Sequence, residues 1–597
     1  MKKIKVVFQP EGKTVQAHAG ITVAALAAQN GVKIDVPCGA VGKCGKCKVT
    51  VLGSRGVSPA DYEELELLSK EELDSGVRLS CRARITGEAV ISIPRSSRLQ
   101  TQKILDVGIQ TEAKVNPSVR KKYFKGQPTL FDLGFNHSEK IEKFRNATAV
   151  IDASTNELID IEAGNTTDVL FGMAFDVGTT SVVGTLVDLK TGLVVATAAD
   201  MNAQVVYGDD VISRLNFCIE NENGTADMNK KIIAVMNRLL FEVCKEAGIT
   251  PDKIYDTVIC GNTTMEHFLL KADPKPLGVY PFTSSLGQSL NSVYAKTFGF
   301  NIHPRVKLTV FPVIGGWVGG DTLGVILATS LYKTTHIKLA IDIGTNGEVV
   351  LGNKDRMVAA SCAAGPAFEG AHIRSGMRAS RGAIEKIDLV EDKLVFKTIE
   401  DSAPVGFCGS GLIDAMALLV EQGIVDETGR IKDPEELPPG LPAEIKAKVI
   451  QHENGNEFVF VAQTGAAVNI SLSQKDVREI QLAKGAMLAG IIILMKELNV
   501  RTEDITEVLI AGAFGNYIRA EKALAIGLIP PVELKKIIFC GNAAEEGARK
   551  ALVSLEMRRE VEVIAKAVKY VDLSASPEFQ DVFAEAMMFS NAIAEHQ

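Results

Sequence analysis

One short motif occurs twice in this chain and restricts its fold more than any other feature. The first copy is Phe175-Asp176-Val177-Gly178-Thr179-Thr180, and the second is Ile341-Asp342-Ile343-Gly344-Thr345-Asn346-Gly347-Glu348. In both copies an apolar run typical of a buried strand leads into an aspartate, and another apolar run follows the glycine-containing turn. A polar turn and a third apolar run come next. The sequence therefore predicts two strand–turn–strand–turn–strand units of the same design.

The chemistry of these turns suits phosphate. A glycine-rich turn can direct backbone N–H groups at phosphate oxygens, and the aspartate before it can hold Mg²⁺ directly or through water. Two such turns facing each other would clamp the phosphates of a nucleotide. A single copy would be equally compatible with an ordinary hairpin turn, so the prediction depends on the duplication. The sequence has no Gly-x-x-x-x-Gly-Lys-[Ser/Thr] loop, so a nucleotide site would depend on this clamp.

The elements that follow each motif are also duplicated. After the first copy come predicted strands at residues 255–260 and 308–314, and Gly320-Asp321 opens a helix of small residues. After the second copy come predicted strands at residues 507–510 and 536–539 and a small-residue helix at 543–552. Agreement in element order and turn chemistry favours one fold built twice.

From about residue 170 to 597 the chain resembles the superfamily of actin, the large heat-shock chaperones and the sugar kinases (ASKHA). The resemblance implies an α/β body with two lobes of duplicated RNase H-like design that close on ATP and Mg²⁺. It implies that Asp176 and Asp342 hold the metal and that Asp321 positions the attacking water. The nucleotide-contacting residues that it implies are Gly178, Thr179, Thr180, Gly344, Thr345, Asn346, Gly347, Gly512, Ala513, Phe514 and Gly515.

A cysteine cluster marks the N-terminal region. Cys38, Cys44 and Cys47 have the spacing C-x5-C-x2-C, and Cys81 lies beyond a predicted acidic helix. Four thiolates, three of them on one glycine-rich loop, suit a [2Fe–2S] cluster. Zinc is the alternative, although structural zinc sites usually use two Cys-x2-Cys pairs. Residues 1–95 resemble the [2Fe–2S] ferredoxins, with the adrenodoxin-type first gap, which implies a ferredoxin-like β-grasp domain.

The region between these parts has weaker patterns. Residues 147–152 and 157–162 read as a hairpin, and the cluster Lys121, Lys122 and Lys125 reads as a solvated face. We expect four segments: a cluster domain (1–95), a linker (96–168), a middle part that forms the first lobe (169–335) and a C-terminal part that forms the second lobe (336–597).

Composition excludes several classes of protein. A chain of 597 residues is too long for one core, and a net charge of −8 argues against a nucleic-acid binder. The longest apolar run, residues 486–495, is too short to span a membrane, and the N-terminus lacks the apolar core of a signal peptide. Ten cysteines in a chain of this length indicate metal binding or burial rather than a disulfide framework. We expect a cytoplasmic protein.

Several other residues can be interpreted either as functional or as structural. Residues 365–370 and 408–411 are glycine-rich and could line the nucleotide cleft or serve only as turns. Arg374, Arg378 and Arg381 could contact phosphate or a partner, but a solvated helix face explains them as well. His267, on an apolar helix, is interpreted as structural.

An electron carrier and an ATPase in one chain suggest electron transfer driven by ATP. The full length resembles the reductive activators of corrinoid proteins. The resemblance implies reduction of an inactive Co(II) corrinoid methyl-carrier protein to Co(I), a low-potential electron donor, and a homodimer. The alternatives are a kinase with a regulatory cluster and a non-enzymatic clamp. Activators of radical dehydratases are short chains that share a [4Fe–4S] cluster, which fits neither this length nor this cysteine spacing.

Overall fold

The computed structural model describes residues 3–94, apart from 11, 33, 35, 37–41, 43–44 and 54, and residues 114–126, 146–462, 469–512 and 517–589. The N-terminal part is a mixed sheet of order β2-β1-β5-β3-β4. Its core includes Val6, Phe8 and Ile91, which are fully buried. This is the ferredoxin-like arrangement that the sequence predicts. Its elements are β1 (Ile4–Gln9), β2 (Lys13–Ala17), α1 (Val23–Gln29), β3 (Lys48–Leu52), α2 (Tyr62–Leu67), α3 (Lys70–Asp74), β4 (Val77–Leu79) and β5 (Ala89–Ser92).

The linker contains an antiparallel sheet of order β6-β7-β8, formed by Val119–Lys125, Asn146–Asp152 and Leu158–Ala163. The predicted hairpin is confirmed, whereas β6 was not predicted. The interpretation of the lysine cluster as a solvated face is wrong for Lys121, whose side chain is 2% exposed and pairs with Glu162. Lys253 also binds Glu162, at 2.8 Å, so the buried carboxylate has two cations to offset its desolvation.

The first lobe is built on a sheet of order β11-β10-β9-β12-β14-β13. β9 pairs antiparallel with β10 and parallel with β12, and β12 pairs parallel with β14. Its elements are β9 (Phe171–Val177), β10 (Ser181–Asp188), β11 (Val194–Met201), α4 (Val211–Glu220), α5 (Gly224–Ala247), β12 (Ile254–Gly261), α6 (Thr263–Leu270), β13 (Asn291–Tyr294), α7 (Ala295–Phe298), β14 (Lys307–Val310) and α8 (Gly320–Thr329).

The sheet of the second lobe has the order β17-β16-β15-β24-β25, which corresponds strand by strand to β11-β10-β9-β12-β14 of the first lobe. An additional strand, β26, lies beside β17. The five strands shared by the two sheets also agree in direction, which confirms the predicted duplication. The elements are β15 (Ile337–Asp342), β16 (Glu348–Gly352), β17 (Met357–Ser361), β18 (Ala383–Val390), β19 (Lys393–Thr398), β20 (Gly406–Phe407), α9 (Gly409–Glu421), α10 (Ala443–Lys446), β21 (Val449–Ile450), β22 (Glu457–Val461), β23 (Ile470–Ser473), α11 (Gln474–Leu498), β24 (Ile505–Ala511), α12 (Ala520–Ala525), β25 (Ile537–Gly541), α13 (Ala543–Val553), α14 (Leu555–Ala567), β26 (Val568–Tyr570) and α15 (Phe579–Ala586).

Two helices connect the lobes. α13 and α14 follow the second sheet in sequence, but their apolar residues belong to the same core as the first sheet. α13 crosses α8 where two glycines meet: a Cβ on Gly547 would lie 2.2 Å from the carbonyl oxygen of Gly324. The two backbones are therefore in direct contact, with no space for a side chain between them.

This crossing gives a test of the fold. We expect Gly547→Ala to destabilise the body by about 1–3 kcal/mol, because overpacking forces the helices apart. Gly440→Ala is the control, since a Cβ there has no neighbour within 4 Å. Thermal unfolding of both variants measures the difference, and equal midpoints would contradict the close crossing.

The long helix α11 buries a lysine against the end of the described chain. The Nζ of Lys484 donates to the carbonyl of Met588 and lies 5.2 Å from the ring centroid of Phe589. The side chain is fully buried, and this burial lowers the pKa of Lys484 to about 7. Neutral Lys484 is therefore the form that the folded protein favours.

The shift predicts a pH dependence of stability. Between about pH 7 and the ordinary lysine pKa of about 10.4, the unfolded chain binds a proton at Lys484 that the folded chain does not, so wild-type stability rises with pH. Lys484→Met removes this dependence. We expect its unfolding midpoint, measured relative to wild type, to fall by about 3 °C between about pH 7 and about pH 9.

The control for this test is Lys496→Met on the same helix, where the side chain is 36% exposed. Its offset from wild type should stay constant over the same pH range. A constant offset for Lys484→Met as well would contradict the lowered pKa.

Among the helices of the described ranges, none combines the length and apolar character needed to cross a membrane.

Candidate functional site

The two motif turns meet in the cleft between the lobes. The hydroxyl oxygens of Thr180 and Thr345 lie 3.2 Å apart. Both hydroxyls donate to Glu369, Thr180 to Oε2 at 2.7 Å and Thr345 to Oε1 at 2.5 Å. The structure therefore brings together the two turns that the sequence predicts as a clamp, and it adds a bridging carboxylate.

Each turn is fixed by the strands beside it. In the first turn Gly178 N donates to Ser181 O at 2.9 Å, and in the second Cys362 N donates to Gly347 O at 2.8 Å. Gly347 has φ +72°, and a Cβ there would lie 2.2 Å from the sulfur of Met487 on α11. Only glycine fits this position. Asn346 holds the same turn through its carbonyl, which accepts from Ala364 N at 3.0 Å.

Thr179 faces the interior of the first lobe rather than the cleft. Its hydroxyl accepts from Asn262 Nδ2 at 2.9 Å, and its carbonyl accepts from Arg214 Nη2 at 2.7 Å. Arg214 is fully buried and its pKa is lowered to about 10 by that burial. Sequence reasoning missed Arg214, because nothing in the pattern of α4 indicates that this cation fixes the turn.

Three aspartates lie together behind the turns. Burial raises the pKa of Asp342 to about 8, and repulsion from Asp321 and Asp176 adds to the rise. Burial and Asp321 raise the pKa of Asp176 to about 7, and burial raises that of Asp321 to about 6. Asp176 and Asp342 lie on the equivalent strands β9 and β15, and Asp321 lies in the first turn of α8. The structure thus assembles all three predicted aspartates.

Three glutamates that sequence reasoning did not select join this cluster. Burial and Asp321 raise the pKa of Glu266 and Glu348 well above the ordinary value, and burial raises that of Glu545 to about 7. Glu348 Oε1 and Glu545 Oε1 are buried without a hydrogen-bond partner among the described residues. A signal was available, since Glu266 and Glu348 are charges inside apolar segments.

This set of carboxylates fits a hydrated divalent cation. Like charges in a buried site favour the protonated form unless a cation neutralises them. Within the described ranges, no three His, Cys, Asp or Glu side chains are close enough to bind one ion together. Mg²⁺ usually uses one or two carboxylates and fills its other positions with water and phosphate oxygens. The geometry therefore fits Mg²⁺ that arrives with a phosphate.

The predicted adenosine-contacting segment is only partly described. Gly512 has φ +96°, and a Cβ there would lie 2.6 Å from Asp342 Oδ1. This residue therefore borders the cleft beside the aspartate cluster. Ala513, Phe514 and Gly515 lie outside the described residues, so their predicted contacts stay predictions.

Two of the four predicted cluster ligands are described. The sulfur atoms of Cys47 and Cys81 lie 3.3 Å apart, and these cysteines are 1% and 5% exposed. Two buried thiols at this separation fit ligands of one iron. Cys38 and Cys44 lie outside the described residues. The other cysteines are buried as predicted: Cys218, Cys244, Cys260, Cys362, Cys408 and Cys540.

The remaining candidates have structural partners. Arg378 lies 3.6 Å from Asp209 across the lobes, and Arg374 lies 3.2 Å from Glu457. Residues 370–382 contain no helix, so the interpretation of these arginines as a helix face is wrong, although Arg374 and Arg381 are exposed to solvent as expected. His267 is fully buried and its Nδ1 contacts Thr263 O at 2.7 Å, which agrees with a structural role.

Comparison with known families divides the chain into three matches. Residues 6–86 match the 2Fe-2S iron-sulfur cluster binding domain. Residues 171–334 match the RACo middle region. Residues 336–596 match the C-terminal domain of RACo, described as the ASKHA domain.

Two curated relatives and one solved structure resemble the chain, over two thirds of its length or more. The "Corrinoid activation enzyme RamQ" of Eubacterium limosum is 30% identical, covering 99% of this chain and all of the relative. The "[Co(II) methylated amine-specific corrinoid protein] reductase" of Methanosarcina barkeri is 27% identical, covering 67% of this chain and 73% of the relative. A solved structure, "Reductive activator for corrinoid,iron-sulfur protein", superposes with a TM-score of 0.71 at 32% identity, covering 98% of both chains.

The aspartate cluster gives a prediction for metal and nucleotide. We expect Asp342→Asn to bind Mg²⁺ and a non-hydrolysable ATP analogue at least about tenfold more weakly. Without Mg²⁺ the same variant should unfold no earlier than wild type, because one of three repelling carboxyls is gone. Thermal unfolding with and without the two ligands measures both effects.

Asp355→Asn is the control, since this exposed residue lies in the turn between β16 and β17. It should gain as much stability from the ligands as wild type. An equal gain in Asp342→Asn would exclude Asp342 from the site.

Proposed function

The chain belongs to the family of reductive activators of corrinoid proteins, and we propose that it uses ATP to return one electron to an inactive Co(II) corrinoid protein, which becomes Co(I). The observation that carries this proposal is the presence, in one chain, of two buried thiols 3.3 Å apart and two glycine-containing turns whose threonine hydroxyls lie 3.2 Å apart. The first suits an electron carrier and the second suits a nucleotide.

We propose that Cys38, Cys44, Cys47 and Cys81 hold a [2Fe–2S] cluster. When bound, the cluster supplies the single electron that the cobalt accepts. The chain holds Cys47 and Cys81 together by packing both into the core of the N-terminal sheet. Gly42 and Gly45 have φ +83° and +65°, so the loop can turn closely around its ligands.

We propose that the cleft binds ATP with Mg²⁺. The backbone of the turns at Gly178 and Gly344 would approach the phosphates, with Thr180 and Thr345 as hydroxyl partners. Asp176 and Asp342 would hold the Mg²⁺ through water, and Asp321 would orient the attacking water. The raised pKa values of these carboxyls support the assignment, because such shifts are typical of functional sites.

The energy scale of the coupling is accessible to ATP. For a one-electron step, about 59 mV corresponds to about 1.4 kcal/mol. An uphill gap of roughly 200 mV therefore requires about 5 kcal/mol of differential binding between nucleotide states, enough for an almost complete shift between two conformations.

The corrinoid partner is proposed to be a methyl-carrier protein, and the electron is proposed to come from a separate low-potential donor. We also propose a homodimer. Binding to a methyl-carrier partner would explain why the cluster domain is a separate folded part, with its own core, rather than an insertion in the body.

The experiment that tests this function is anaerobic. Reduced protein is mixed with a Co(II) corrinoid methyl-carrier protein, and Co(I) absorbance is followed with ATP, with ADP and without nucleotide. We expect Co(I) only with ATP. Cys47→Ala should abolish Co(I) formation, because an iron ligand is lost, while ATP hydrolysis continues.

Cys218→Ala is the matched control, since Cys218 is a buried cysteine of α4, outside the cluster domain. It should support Co(I) formation like wild type. Co(I) formation by Cys47→Ala would contradict the electron route. ATP-dependent phosphorylation of a small acceptor, with cobalt remaining Co(II) for carriers from two pathways, would favour the kinase alternative instead.

A further inference from the structure

One segment of the second lobe contacts both motif turns and the cysteine loop. Residues 365–378, here called the bridging segment, carry Glu369, which accepts from a threonine of each lobe. The carbonyls of Gly370 and Gly376 accept from Lys46 Nζ, the latter at 3.1 Å. Lys46 immediately precedes Cys47 on the cysteine loop. The nucleotide cleft and the cluster domain are therefore joined through a few residues.

The bridging segment is folded tightly on itself. Gly370 has φ +80°, and a Cβ there would lie 2.6 Å from Met377 N; a Cβ on Gly376 would lie 2.4 Å from Gly370 O. Met377 N in turn donates to Phe407 O at 2.8 Å. Since its two limbs have no free space between them, a shift of the backbone at Glu369 would also move the carbonyls that hold Lys46.

Phosphate and Glu369 compete for the same place. The Glu369 carboxylate accepts hydrogen bonds from the hydroxyls of Thr180 and Thr345, which face the cleft where the two turns meet. A phosphate bound between these turns needs the same hydroxyls and is repelled by the carboxylate. A nucleotide bound there would therefore displace Glu369.

We propose that Lys46 docks the cluster domain on the bridging segment and that nucleotide binding at the two turns releases this dock through Glu369. The inference rests on the proposed ATP site and makes Lys46 a positioning residue for the cluster. The two acceptors on the bridging segment are neutral carbonyls, so breaking the contact leaves no carboxylate of that segment unpaired. Release would free the loop that carries Cys47 to approach a corrinoid partner.

Thermodynamic linkage allows the Lys46 contact to be tested by measuring nucleotide affinity at the other end of the bridging segment. If nucleotide weakens the dock, then loss of the dock must strengthen nucleotide binding by the same factor. Lys46 belongs to the cluster domain, so no direct contact explains such an effect. The expected change for Lys46→Met is about fivefold tighter binding, at the low end of couplings between sites.

The experiment measures the dissociation constant of a non-hydrolysable ATP analogue with Mg²⁺, by calorimetry on the full-length protein with its cluster. Lys46→Met should bind about fivefold tighter than wild type, and Lys46→Arg, which can still donate to both carbonyls, should stay within about twofold. Lys48→Met is the matched control, because Lys48 pairs at 2.5 Å with Glu72 inside the cluster domain.

A double-mutant cycle tests the route. Glu369→Gln should also tighten binding, since the competing charge is gone. Lys46→Met with Glu369→Gln should gain less than the product of the two single effects, because both act on one equilibrium. Multiplicative effects, or equal constants for Lys46→Met and Lys48→Met, would overturn the inference.

Failure of the proposed function gives a different result. If the wild-type protein binds no ATP analogue, the ATP site and this inference both fail. If wild type binds and the Lys46 variants match it, only the dock fails. Lys46→Gln replaces Lys46→Met if the latter does not assemble its cluster, and the same tightening is expected.

Discussion

Burial of several carboxyl groups close to one another is the constraint on which the site depends. Asp176 and Asp342 are placed at equivalent points of two duplicated sheets, and α8 adds Asp321 beside them. Burial raises the pKa of all three, and repulsion from neighbouring aspartates adds to the rise for Asp176 and Asp342, so the folded protein disfavours their charged forms. A bound cation with phosphates would offset this charge, so the same arrangement that disfavours ionisation prepares the cleft for a ligand.

Much of this architecture could be predicted from sequence, because it is encoded in local patterns. The two Asp-x-Gly-Thr turns, the strands around them and the cysteine spacing each follow from a few neighbouring residues. Arg214 and Glu545 could not be predicted, since their roles depend on partners far away in the chain. Glu369 lies in a segment that the sequence offered as a possible lining of the cleft, but its bridging of the two turns could not be predicted. Lys121 was misinterpreted for the same reason, because its buried partner Glu162 lies on another strand.

The return of α13 and α14 to the first lobe is a second feature that local patterns do not contain. Both helices are amphipathic in any context, and only packing decides which sheet they cover. Their apolar faces complete the core of the first sheet. The first lobe therefore depends on helices from the C-terminal part of the chain, so the lobes should fold as one body although their sheets are separate.

The crossing of α8 and α13 has a consequence for motion. At Gly324 and Gly547 the helices touch backbone to backbone, so no side-chain rotamers need to change when one turns relative to the other. A backbone contact of this kind would act as a pivot, about which the two helices could rotate. Asp321 lies in the first turn of α8, and the side chain of Asn542, which caps α13, bonds Asp176. A small rotation about this pivot would therefore move the first turns of both helices within the cleft, and the two lobes would close on each other.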